Sequence, residues 1–132
     1  MFRNILSGIA ALFAAFIIMM VFEYTNSLIF PFPTGFDVTN TDAVRAFTQS
    51  LPWNAYILVW LGWIISSFVA GWLSTTISKT TTMFIPLTLG IILTLLGLAN
   101  NLMIGAPLWV TIIGLFLFIP PALAGYQVAV KD

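Results

Sequence analysis

The 132-residue chain has no cysteine and no histidine, and only 6% of its residues are charged. Without thiols there are no disulfides and no thiolate nucleophiles or ligands. Without imidazole there is no histidine acid–base chemistry and no histidine ligation of metal or haem. The missing cysteine says nothing about compartment. Four acidic residues balance four basic ones, and no basic run offers a surface for nucleic acid. The carboxylates lie mostly outside the apolar segments and form no catalytic constellation. Neither an enzyme nor a metal or other cofactor is therefore expected.

What the chain does have is apolar length. It is 61% hydrophobic, against about 45–50% in ordinary soluble domains. So much apolar surface cannot be hidden in a water-soluble fold of this size, so the lipid bilayer is the expected solvent. A spanning helix needs about 20 mainly apolar residues, and four segments qualify, at about 5–30, 53–75, 82–100 and 107–130. The first follows Arg3 and is longer than the apolar core of a secretory signal, so it reads as a retained transmembrane helix that stops at Pro31 and Pro33. Pro86 lies in the first turn of the third. Polar stretches at 76–81 and 101–106 are short enough to join antiparallel neighbours. The predicted fold is an all-α, antiparallel four-transmembrane-helix bundle in one integral membrane domain covering 1–132.

The only long connection is the loop 31–52. Within it, Asn40 or Thr41 can cap a short helix with Asp42 in its first turn. Val44, Phe47 and Leu51 then share one face. That describes an amphipathic helix on the membrane surface or over the bundle end, the alternative being an irregular loop packed by its own aromatics. Arg3, Lys79 and Lys131 fall on one side of the four-span arrangement and Arg45 on the other. The excess places both chain ends in the cytoplasm and loop 31–52 outside. Trp53 and Trp109 then mark one interface, and Trp72 and Tyr126 the other. Pro52-Trp53 and Pro107-Leu108-Trp109 open the second and fourth helices alike, the pattern two parallel hairpins would give.

Helices in lipid associate through close packing at small residues. Gly62, Ser66 and Ala70 recur every fourth residue of the second helix, with Ser67 and Gly71 beside them. Gly8, Ala11 and Ala15 give the first helix a small face, and Gly90 and Gly97 stand in the third. Pro120 and Pro121 lie inside the fourth and should bend it, freeing carbonyls at Phe116 and Leu117.

Glu23 is the one carboxylate in an apolar run. On a helix it shares a face with Met19, Met20, Asn26 and Ser27, and such a polar face should point into the bundle. Asn54 at the start of the second helix, and Asn100 and Asn101 at the end of the third, fall at the same depth. These residues make up a candidate polar cluster of Glu23, Asn26, Asn54, Asn100 and Arg45, with Asn101 at its margin. Arg45 can close over Glu23 from the loop, though Asp42 competes for it. Glu23 is then either a desolvated site that exchanges a proton or binds a cation, or a structural acceptor for the Asn amides and Arg45.

The Glu-bearing first helix, the FPFPTGFD loop, the LPW opening of the second helix and the proline-rich fourth resemble small four-helix bacterial inner-membrane proteins of uncharacterised function. The resemblance implies an inner-membrane location and no particular activity. The small multidrug transporters are similar in architecture only. Here Glu23 lies late in its helix, and loop 31–52 is too long for their compact pattern. The expectation is a non-catalytic multi-pass protein: an accessory subunit, assembly factor or scaffold in a homo-oligomer or larger membrane complex. The alternative is a small oligomeric transporter or channel with Glu23 as proton or cation site.

Overall fold

The computed structural model describes residues 1–131. Among them, 81% are helical and none is in a strand, so the fold is all-α. Six helices follow in order: α1 (Phe2–Ile29), α2 (Thr41–Ser50), α3 (Ile57–Ser78), α4 (Phe84–Ile104), α5 (Leu108–Leu115) and α6 (Ile119–Lys131). A 3₁₀ turn, Trp53–Tyr56, leads into α3. The segments Phe2–Ile29, Trp53–Ser78, Phe84–Ile104 and Leu108–Lys131 are long and apolar enough to cross a membrane, as in a multi-pass membrane protein. The 28 residues of α1 extend about 42 Å at 1.5 Å per residue. That exceeds an approximately 30 Å hydrocarbon core, so a bilayer crossing by α1 would require it to tilt or protrude.

The helix ends differ from their sequence expectations for local reasons. Helix α3 runs on through the polar stretch to Ser78. Its hydroxyls turn back onto the helix backbone, Thr75 Oγ1 donating to the Gly71 carbonyl at 2.7 Å and Thr76 Oγ1 to the Trp72 carbonyl at 2.8 Å. Polar side chains satisfied in this way need not end a helix. Lys79 closes α3 in the left-handed conformation, φ 58°. Helix α4 likewise passes through Asn100 and Asn101 and stops only at Gly105, φ 70°. The fourth span is more than bent. Residues 116–118 leave the helix between α5 and α6, and Pro120 and Pro121 sit in the first turn of α6, where a missing N–H removes no helical bond. The break lets Phe118, 1% exposed, turn inward and stack on Trp63 with ring centroids 5.0 Å apart.

Helix α3 is the hub, packing against α1, α4 and α6, whereas α1 and α4 meet only marginally. Gly62, Ser66 and Ala70 are all buried. At Gly62 the backbone faces α1, since a Cβ there would lie 2.7 Å from that of Phe22. On α1 the buried small residues are Ser7, Ala11 and Ala15. Gly8 is not in that seam, and a Cβ added to it meets nothing within 4 Å. The closest crossing is between α3 and α6. A Cβ on Gly71 would collide with the backbone carbonyl of Ala122, and one on Gly125 with that of Phe68.

Helix α2 is capped by Asn40, whose side chain accepts from the Ala43 amide at 3.2 Å. It is tied to the bundle end at two points. The Tyr56 hydroxyl donates to the Thr48 carbonyl at 2.6 Å, and Gln49 Nε2 donates to the Gly105 carbonyl at 3.2 Å. Phe47 packs with Phe32 and Phe36 of the preceding loop, centroids 4.7 and 5.7 Å away. Just after Phe36 in that loop, Asp37 accepts from the Thr39 hydroxyl at 2.6 Å and the Thr39 amide at 2.9 Å. These bonds, the hydroxyl first, hold its carboxyl below the usual carboxylate range.

Candidate polar cavity at the α2 end of the bundle

Because α1 and α4 barely touch, the space between them stays open, and Glu23 borders it from the α1 side. Counting along the axis, Glu23 lies about 9 Å before the end of α1 and Asn100 about 6 Å before the end of α4. Both are exposed rather than buried, and both border the same space at the α2 end of the bundle.

Two cavities meet at this level. The one nearer α2 has a volume of about 330 Å³. Its polar wall is Glu23, Asn26 and Ser27 from α1 with Asn100 and Asn101 from α4. Val44, Phe47, Thr48 and Leu51 line its α2 side, and Tyr56 and Trp63 its α3 side. The second, of about 180 Å³, runs deeper along the bundle between Phe16, Met19 and Met20 of α1 and Leu93, Leu96 and Gly97 of α4. Glu23, Trp63 and Asn100 border both. The α1 face that alternates Met19, Met20, Glu23, Asn26 and Ser27 thus turns from apolar to polar where one cavity gives way to the other.

The polar groups here are unevenly satisfied. Asn26 Oδ1 is buried and has no hydrogen-bond partner. Asn101, only 4% exposed, brings its amide to the same wall. Buried amide oxygens are normally paired, and an orphan acceptor beside a cavity calls for water or a guest that donates. Trp60 Nε1 and Ser67 Oγ are also buried without partners, but neither borders this space.

Two residues of the sequence-derived cluster lie elsewhere. Asn54 is exposed, in the 3₁₀ turn before α3, and borders neither cavity. The turn displaces it from the register that a continuous helix from Trp53 would give. Arg45 is exposed on α2. Its methylene chain lies over Gly105 so closely that a Cβ there would collide with it, and it does not line the cavity below. Conversely, Trp63 and the Phe32–Phe47 pair were not among the sequence candidates. Nothing distinguishes Trp63 among the tryptophans of its segment until Phe118 folds in to stack on it.

A carboxylate, three asparagine amides and an aromatic surround can hold a polar or cationic group at the edge of an apolar groove. Comparison with protein families, with curated proteins and with solved structures finds no match to this chain.

Proposed function

We propose that this is a non-catalytic multi-pass protein of the inner membrane, serving as an accessory subunit, assembly factor or scaffold in a larger membrane complex. In this reading the four spans form an antiparallel bundle with both chain ends in the cytoplasm. Helix α2 is an amphipathic cap on the opposite side, with Asp42 and Arg45 turned to water. The observation that carries the reading is the position of α1. It is held through the small residues Ser7, Ala11 and Ala15, while Ile9 and Phe13, one helical turn apart, remain 60% and 68% exposed. A peripheral helix with a large free face suits lateral attachment to a partner within the membrane. Nanodiscs excised directly from the native membrane test this. The chain should be recovered in fixed stoichiometry with a larger protein, and the double substitution Ile9→Ala with Phe13→Ala should release it. Recovery only as this chain, alone or as a homo-oligomer, contradicts the accessory role.

A second reading, a small oligomeric transporter or channel with Glu23 as proton or cation site, draws on one specific observation: Glu23 stands where the two cavities meet. Proteoliposome flux that disappears in Glu23→Gln supports it, and equal flux in both proteins removes it.

A further inference from the structure

We propose that the paired cavities bind an amphiphile bearing a primary ammonium head, with the head beneath α2 at Glu23 and Asn26 and the hydrocarbon chain in the groove between α1 and α4. The inference is independent of the accessory reading, since a bound amphiphile fits either role of the bundle.

The arrangement of polarity selects the guest. The upper cavity places a carboxylate and an unpartnered buried acceptor, Asn26 Oδ1, one helical turn apart on the same wall. An ammonium has three N–H donors and no acceptor, and Glu23 and Asn26 offer complementary oxygens. Among the described residues no lysine or arginine lines this wall, and Arg45 lies over Gly105 instead. A carboxylate at the edge of an apolar space is costly to leave without a counter-charge, and a positive head supplies one. Trp63, Tyr56 and Phe47 make the rest of the lining aromatic, a surround that suits a cation better than an anion. An anionic head would meet Glu23 with like charge. Below Glu23 the lining changes to Phe16, Met19, Met20, Leu93 and Leu96. This surface suits a hydrocarbon chain, and its methionines adapt to irregular shape. Because α1 and α4 scarcely touch along this line, the guest can enter sideways from the bilayer. The ammonium can belong to a lipid of the bilayer with an ethanolamine head, or to a free long-chain amine.

The experiment titrates the chain in phosphatidylcholine nanodiscs with dodecylamine brominated on its chain, reading quenching of tryptophan fluorescence. Trp63→Phe identifies the share owed to Trp63. Quenching by the amine should saturate, and brominated dodecyl sulfate should show only linear partitioning. Glu23→Gln, nearly isosteric, should weaken amine binding by about tenfold or more, the loss expected for one charge-assisted hydrogen bond. Asn26→Leu should weaken it less, and Asn54→Leu, outside the cavities, not at all. Circular dichroism confirms that each variant stays helical. Adding phosphatidylethanolamine to the discs assigns the source: competition points to the lipid head, and an unchanged curve to a free amine. Unsaturable quenching, equal response to amine and sulfate, or a Glu23→Gln curve superimposed on that of the unaltered chain overturns the proposal.

Discussion

Replacing Gly71 by alanine tests the α3–α6 crossing, where two backbones come into contact. The added methyl would land on the Ala122 carbonyl, a backbone atom that cannot swing aside like a side-chain tip. Inserting a methyl into a packed core costs about 1–3 kcal/mol, and an immovable neighbour places this case near the upper figure. Against that, alanine exceeds glycine in helix propensity by about 1 kcal/mol. The net expectation is about 2 kcal/mol of destabilisation, close to a 30-fold shift in the folding equilibrium. Gly8→Ala is the matched control. Its Cβ meets nothing within 4 Å, so only the propensity gain of up to about 1 kcal/mol should remain. Reversible unfolding in mixed micelles with increasing sodium dodecyl sulfate, followed by circular dichroism, measures both. Equal midpoints for the two variants, or a stabilised Gly71→Ala, would refute the close crossing.

Three further outcomes follow from the same geometry. Phe118→Ala empties the site where the interrupted fourth span stacks on Trp63, and should lower stability by about 3 kcal/mol or more in the same micelle assay. Asn40→Ala removes the side-chain cap of α2 at a cost of about 1 kcal/mol, read as faster amide exchange at Ala43 while α3 amides are unchanged. Asp37 should show a pH response in the loop. Its native pKa is depressed by Thr39, so the ordering it provides is full above the unfolded value of about 3.9 and is lost as pH falls through the lower native value. The Thr39 amide chemical shift reports this, and Asp37→Asn should abolish the transition.

The four spans were legible because lipid solvation imposes long apolar runs, and such runs survive any detail of packing. Their ends were less legible. Asn100 and Asn101 read as a terminus because polar residues usually end a span, yet a wall of the cavity accommodates them inside α4. Pro120 and Pro121 announced a disturbance, but whether the helix bends or stops depends on where Phe118 can be buried, which is a tertiary matter. In the candidate site, Glu23, Asn26 and Asn100 were found by helical face and depth, both of which follow from counting residues. Asn54 and Arg45 were misplaced because a 3₁₀ turn changes register and a long flexible side chain can lie down on a glycine. Gly125 shows the same limit from the packing side: its sequence carries a small residue, and only the fold supplies the backbone against it.

Most central to the site is that Glu23 and Asn100, from different helices, line one cavity while Asn54 stands outside it. The chain has no cysteine, so paired cysteine substitutions give an unambiguous reading in membranes. A short bifunctional thiol reagent should link Glu23→Cys with Asn100→Cys and leave Glu23→Cys with Asn54→Cys unlinked. Linkage of the Asn54 pair with none for the Asn100 pair would contradict the account.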